Sequence, residues 1–288
     1  MAKTTPLLWV KESAQDSYRA GNNTEQQKII ALLRRAKLHR QADLLEKCDM
    51  TQAILYCGCG NELRVVRQHC RQAICQTCQR NKAFRVFKEI EGSVLLMQEN
   101  APGLRLLFLT FTVPSCEEED LKQELDALPK GFTKLIRAPE IKPYVVGYVR
   151  AIEVDYNCET KLFHPHLHVL LAVRASFYSK GYLSQQRFLE LWQKATERTE
   201  ITQIKIKAVK PKPKEGTSLA FEAAKTVRYM LKAILPDEWT PESLITRCNA
   251  FYKRRQYEFL GDFKIARKLL PPYEPACSCA DCLSTLPA

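Results

Sequence analysis

Three of the five histidines in the chain stand in one run, His164-Pro165-His166-Leu167-His168. In a β-strand alternate side chains share a face, so His164, His166 and His168 point one way and Leu167 the other. Two imidazoles at i and i+2 on a strand face make half of a metal site. Glu153, in Ala151-Ile152-Glu153-Val154 on the strand before, supplies a third ligand. An even-numbered turn sets Glu153 opposite the histidines on the same face. Two imidazoles and one carboxylate leave positions open for water and phosphate oxygens, and suit Mg²⁺ or Mn²⁺ acting on phosphate. If Glu153 faced away, His164 would take its place. The plainer reading is three surface histidines on an edge strand, and strict alternation beside a glutamate weighs against it.

A metal poised for phosphate needs a nucleophile. Tyr229 lies among Lys225, Arg228 and Lys232 in a stretch that reads as a helix from Thr217 to about Leu235. A free phenol has a pKa near 10, so about one in a thousand is ionised at pH 7. Neighbouring cations and a polarised phosphate must make up the difference. On one continuous helix Lys225 and Lys232 would sit a turn either side of Tyr229. By itself a tyrosine on a helix is ordinary packing, and the histidine run gives this one its weight. Tyr252 and Tyr257, in a segment that reads as a basic helix, are the nearest rivals.

The cysteines form another constellation: Cys57-Gly-Cys59, Cys70, and Cys75-Gln-Thr-Cys78. Close pairs separated by a spacer are the spacing of structural Zn²⁺ sites, and thiolates suit zinc. Cys277, Cys279 and Cys282 bring the number of clustered cysteines to eight, enough for two closed sites. The tail set reads equally as a separate or vacant cluster.

These residues need elements to hold them. A helix is expected from Asn23 or Thr24 to about Cys48, and another over Asn81 to Met97. Leu104 to Val113 has the composition of a strand. Ser115 with Glu118 has capping-box spacing and predicts a helix start. Strands over Tyr144 to Asp155 and Leu162 to Val173, joined by a short turn at Asn157 to Thr160, read as a hairpin. A helix over Ser184 to Ala195 and an alternating strand over Ile201 to Val209 follow. Thr240-Pro241 opens a further helix. Strands and helices mix without strict alternation, which predicts an α+β fold with a central antiparallel sheet flanked by helices. The organisation expected is an N-terminal helical region (1–55), a Cys-rich zinc-binding segment with its helix (56–97), the main domain (98–270) and a cysteine-containing tail (271–288).

Lys and Arg outnumber Asp and Glu by 44 to 32, a formal charge of +12. Such an excess favours a polyanionic partner, nucleic acid first. Lys205, Lys207, Lys210, Lys212 and Lys214 concentrate it, with Lys225 and Arg228 nearby. No run of eighteen apolar residues suggests a membrane span, and the N-terminus lacks the apolar stretch of a secretory signal. A cytoplasmic protein with no membrane partner is expected. No Gly-rich phosphate loop is present among 10 glycines, which excludes a built-in helicase motor.

The motifs together resemble those of rolling-circle plasmid replication initiators of the HUH endonuclease superfamily. Phe108-Leu-Thr-Phe-Thr-Val113 is similar to their first, structural motif. His164-Pro-His-Leu-His-Val169 is similar to the metal motif, and Tyr229-Met-Leu-Lys232 to the nucleophile motif, in the same order. The cysteine knuckles, and Lys253-Arg-Arg255 leading to Phe259-Leu-Gly261, add to a likeness spanning roughly residues 56–268. The resemblance implies an antiparallel sheet with ligands on a central strand. It also implies site-specific nicking of single-stranded or cruciform origin DNA through a 5′-phosphotyrosine, with rejoining later. Host helicase and polymerase would serve as partners. Some family members carry a glutamate one turn before the tyrosine to activate water at termination. Here that position is Lys225, and Glu222, seven residues before Tyr229, would lie two helical turns, about 10 Å, away.

Two rivals stand beside this reading. A transposase or relaxase would use the same chemistry on other DNA. A non-enzymatic zinc regulator would explain the cysteines and the charge but leave the histidines and Glu153 idle. The basic run makes its own prediction: neutralising several of Lys205, Lys207, Lys210, Lys212 and Lys214 should weaken single-stranded DNA binding. It should also flatten the slope of log affinity against log salt by about 0.7 for each phosphate that no longer meets a lysine. An unchanged slope would mark these lysines as a solvated loop.

Overall fold

The computed structural model describes residues 13–56, 62–231 and 236–271. The chain divides into two compact units, residues 1–80 with 271–288, and residues 81–270.

In the first unit the expected single helix is two: α1 (Ser13–Arg35) and α2 (His39–Glu46). Lys37 adopts a left-handed φ of 59°, and the Leu38 amide donates back to the Leu33 carbonyl at 2.8 Å. The chain therefore reverses, and Leu33 and Leu45 are both buried. Arg34 clasps the turn through Asp43 and Glu46, at 3.3 and 2.6 Å. Strands β1 (Thr51–Tyr56) and β2 (Glu62–Arg67) pair antiparallel, and α3 (Gln76–Asn100) follows, belonging to the second unit from residue 81 onward.

The second unit is built on a five-stranded sheet. Its elements are β3 (Arg105–Thr112), α4 (Leu121–Ile136), β4 (Val145–Asn157), β5 (Leu162–Val173), α5 (Ser176–Lys180) and α6 (Gln185–Thr196). Then come β6 (Lys205–Val209), α7 (Leu219–Ala224), α8 (Val227–Met230), α9 (Pro241–Ala250), β7 (Tyr257–Gly261) and α10 (Asp262–Leu269). The order is β6-β3-β5-β4-β7, every pair antiparallel, with β5 at the centre. The fold is thus α+β with an antiparallel sheet flanked by helices.

Both faces of the sheet are covered. On one, Phe111 packs on Trp192 and Phe132 with ring centroids 4.7 and 5.6 Å apart, and α4 and α6 supply the cover. Phe111, Phe132 and Trp192 are wholly buried, each worth about 1.5–3 kcal/mol or more in transfer from water. The Trp192 indole N–H donates to the Thr112 carbonyl at 2.9 Å, which satisfies its polar end. On the other face Leu106, Val149, Leu170 and Ala172 pack under α3, α7, α8 and α10. Along β5 burial alternates from Leu162 to Leu167 and becomes continuous from His168 onward. The helical cover ends there, and the histidines lie at its rim.

Three local expectations are corrected. The helix predicted at Ser115 begins at Leu121. Cys116 pairs with Phe163 as an extended bridge, and the Ser115 hydroxyl is taken by His164. The helix predicted from Thr217 breaks after Ala224 and resumes at Val227, the Thr226 hydroxyl donating to the Ala223 carbonyl at 2.6 Å. Tyr252 and Tyr257 are not helical: Tyr252 lies in a turn and Tyr257 opens β7.

β7 joins β4 where Gly147 and Gly261 face each other. Gly261 has φ +61°, and a Cβ there would come within 2.6 Å of the Val146 carbonyl oxygen and 2.7 Å of Gly147 Cα. Only glycine accepts that backbone and that approach. Gly261→Ala should therefore lower stability by about 1–3 kcal/mol. Urea unfolding of the variant would read this, and an unchanged midpoint would contradict it.

Candidate active site

The β4–β5 register sets Glu153 opposite His166, Asp155 opposite His164 and Ala151 opposite His168. The turn between the strands is even, as the sequence required, so Glu153 and the three histidines share one sheet face. Ile152 and Val154 on the opposite face are buried.

Within that face the acids and histidines are matched in pairs. Glu153 Oε2 lies 2.7 Å from His168 Nε2, and Asp155 Oδ2 lies 3.3 Å from His166 Nε2. The other nitrogen of His168 is hydrogen-bonded to Thr110 Oγ1 at 3.1 Å, and His164 Nδ1 to Ser115 Oγ at 2.6 Å. A bond at Nδ1 turns Nε2 of His168 toward Glu153, the arrangement that holds a metal-ligating imidazole in place. His166 Nδ1 is buried without a hydrogen-bond partner. The donor types fit a divalent ion for phosphate chemistry, but the atoms are not drawn together around one point. Among the described residues the one group of three or more such ligand atoms mutually within 4.8 Å is a set of cysteines.

Sequence reading overlooked Asp155, although it sits two residues beyond Glu153 and therefore on the same face. Arg247, on α9, was also overlooked. Its side chain is 4% exposed, and Nε and Nη1 have no hydrogen-bond partner. Burial lowers its pKa, and the charges of Glu153 and Asp155 pull the other way. The rings of Trp239 and Phe251 lie 5.6 and 4.9 Å from the guanidinium carbon. No local motif marks it, because its position depends on how α9 packs.

Phe108 on β3 connects the histidines to the tyrosine. Its ring stacks on His168 at 5.7 Å and 7°, and the Tyr229 ring lies 5.7 Å away on Phe108. Tyr229 is 47% exposed. The Arg228 guanidinium lies 4.8 Å from its ring centre and donates to its hydroxyl at 2.9 Å. Lys225 is drawn aside: it pairs with Glu222 at 3.0 Å, and Glu222 also accepts from Thr217 at 2.9 Å. The Lys225 ammonium, with Thr217, holds the Glu222 carboxyl below the ordinary range, which makes it a weaker base. Lys232 lies outside the described residues. Lys205 and Lys207 are exposed on the edge strand, in register with Thr110 and Phe108 and so on the tyrosine side. Lys210, Lys212 and Lys214 are exposed in the following loop, where Lys212 pairs with Glu215 at 2.9 Å.

In the first unit Cys48, Cys70, Cys75 and Cys78 bring their sulfurs within 4.8 Å of one another. Cys48 joins the group although the sequence reading did not include it. It follows α2, and nearest-neighbour spacing gave it no partner. Cys57, Cys59, Cys277, Cys279 and Cys282 lie outside the described residues. Cys75 Sγ is 3.5 Å from Cys48 Sγ, and the Arg71 amide donates to Cys78 Sγ at 3.2 Å. Gln26 ties the cluster to α1, donating to Cys75 Sγ at 3.4 Å and accepting from the Gln76 amide at 3.0 Å. The surrounding thiols hold Cys48 far below an ordinary thiol. Four thiols so placed are enough to hold a metal ion such as zinc.

Residues 63–285 match the profile of the family described as Replication protein. The chain belongs to that family. Among curated relatives it is 27% identical to a "Protein rep" of Streptococcus pneumoniae serotype 2 (strain D39 / NCTC 7466), over 74% of this chain and 70% of that one. It is 31% identical to a "Protein rep" of Lactiplantibacillus plantarum, over 67% and 66%. A "Protein rep" of Staphylococcus aureus is 29% identical, over 66% and 85%. No solved structure matches. Membership agrees with the resemblance to rolling-circle plasmid initiators and makes DNA the partner of this replication protein. No helix among the described residues is long and apolar enough to cross a membrane.

The thiol cluster yields a prediction. Cys48→Ala should reduce zinc retained after mild chelation and lower the unfolding temperature, since binding of a structural ion contributes directly to folding. Acidification should release the metal as thiolates protonate. Metal analysis after dialysis reads both, and full zinc retention in the Cys48→Ala protein would remove Cys48 from the site.

Proposed function

We propose that this replication protein initiates rolling-circle replication of a plasmid by nicking one strand of its origin, with Tyr229 as nucleophile. The observation that carries the proposal is the run of contacting rings from His168 through Phe108 to Tyr229. Through Phe108 it brings the tyrosine of the Tyr-x-x-Lys motif within two ring contacts of His168. The relatives' names favour replication over transposition or relaxation.

His166, His168 and Glu153, with Asp155 or His164 in reserve, would hold Mg²⁺ or Mn²⁺. That ion, when bound, would polarise the scissile phosphate. Thr110 fixes the His168 ring for this role. Arg228, already donating to the Tyr229 hydroxyl, can follow the charge onto the phosphate. The Tyr229 oxygen bonds to phosphorus as its proton leaves to solvent or a nearby base. The P–O3′ bond breaks, and the 3′ oxygen leaves with a proton as a free hydroxyl. The 5′ end stays on Tyr229 as a phosphotyrosine until another 3′-hydroxyl attacks it and reseals the strand. A 3′-hydroxyl so released can prime a host polymerase, and a host helicase would open the duplex. Lys205, Lys207, Lys210, Lys212 and Lys214 would hold the backbone of single-stranded or cruciform DNA. The Cys48, Cys70, Cys75 and Cys78 set would hold structural zinc, remote in chemistry from the phosphate step.

Tyr229→Phe should abolish metal-dependent nicking of single-stranded origin oligonucleotides while leaving their binding nearly intact. Mass spectrometry of the trapped adduct checks the assignment. An adduct on Tyr252 or Tyr257, or an active Tyr229→Phe protein, would sink it.

A further inference from the structure

Aromatic side chains beyond Tyr229 stand exposed on the helices that cover this sheet face. Phe221 on α7 is 36% exposed and Phe84 on α3 is 52% exposed. Phe87 sits between them: it meets Phe221 edge-on at 5.7 Å and lies one helical turn from Phe84. Phe87 is partly buried against the core, which anchors the group to the fold. Each contacting ring carries a cation. Lys225 lies 5.7 Å from the centre of Phe221, Lys88 5.7 Å from that of Phe87, and Arg228 4.8 Å from that of Tyr229.

Exposed phenylalanines cost free energy in water, and a surface that keeps them beside cations needs a ligand with both flat faces and negative charge. Single-stranded DNA has both. Its bases stack on any aromatic face, and its phosphates take the cations. Duplex DNA buries its base faces and would gain only the charge. α7 carries Phe221 and runs through a two-residue turn into α8, which carries Tyr229, so a strand lying on Phe221 leads toward the nucleophile.

We propose that Phe221 and Phe84, with Phe87 between them, form a stacking platform for unpaired bases of the DNA strand that is presented to Tyr229. The direction of the strand rests on the nicking reading, whereas the platform itself does not. The ligand is unpaired nucleic acid, recognised by base stacking and without a sequence code. Lys88, which pairs with Glu91 at 2.9 Å, and Lys225, which pairs with Glu222 at 3.0 Å, exchange those carboxylates for the phosphates flanking the rings.

The test is fluorescence anisotropy of a fluorescein-labelled oligothymidylate titrated with the full chain. Phe84→Ala and Phe221→Ala should each weaken binding by about fivefold or more, the low end of what stacking one base contributes. The salt slope should stay unchanged, because every lysine and arginine that meets a phosphate remains. Phe221→Trp should restore or tighten binding, and affinity for a duplex should not move. Unchanged affinity for the oligothymidylate would overturn the platform, as would an equal loss on the duplex. Both substituted residues are exposed, and a thermal melt matching that of the unaltered protein confirms an intact fold. The two readings fail separately. Loss of oligothymidylate affinity in a protein that never nicks origin DNA would keep the platform and discard the nicking. A nicking protein indifferent to both alanines would do the reverse.

Discussion

Everything at this centre hangs on the pairing of β4 with β5. A four-residue turn puts Asn157 opposite Leu162, and from there each step along the ladder is determined: Asp155 with His164, Glu153 with His166, Ala151 with His168. The opposite face of the same two strands carries Ile152, Val154 and Leu167, all buried. A slip of one residue would send those apolar side chains to the polar rim and the histidines into the core. Hydrophobic burial on one face therefore holds the chemistry on the other. The central place of β5 makes this stricter, since β3 also pairs with it and sets Thr110 against His168.

The rim position of the histidines follows from how far the helices reach. α3, α7, α8 and α10 cover the sheet up to Leu170 and stop short of His166. The break between α7 and α8 matters as well. It takes Lys225 away from the tyrosine and toward Glu222, leaving Arg228 as the cation bonded to the Tyr229 hydroxyl. A guanidinium suits that place, because it keeps its charge at any working pH and can donate to the phenol and a phosphate together. The paired state of Glu222 also weakens its claim to the water-activating role that the resemblance to HUH initiators would assign to a carboxylate near the tyrosine.

The cysteine unit works on a different principle. Its strands are short, α1 and α2 are joined by a tight reversal, and four thiols are gathered where a metal ion such as zinc could cross-link so small a unit. Gln26 and the Arg71 amide point their N–H groups at sulfur, which lowers the cost of gathering thiolates.

The local patterns that the sequence determined are those with a short physical range. The strand expected over Leu162 to Val173 is β5 residue for residue, period-two alternation put its three histidines on one face, and the even turn was enough to put Glu153 beside them. Ser184 and Thr240 announced their helices because a cap acts within one turn. Spacing also found three of the four gathered cysteines. What stayed hidden depends on partners distant in the chain. Cys48 joins its cluster only because Lys37 turns the backbone and α2 folds back on α1. Ser115 had the spacing of a cap, yet His164, from another strand, claims its hydroxyl. The pairing of His166 with Asp155, the burial of Arg247 and the stack of Phe108 between His168 and Tyr229 arise from packing among three or more elements. No window of sequence contains all the partners in any of them, so only the tertiary structure decided them.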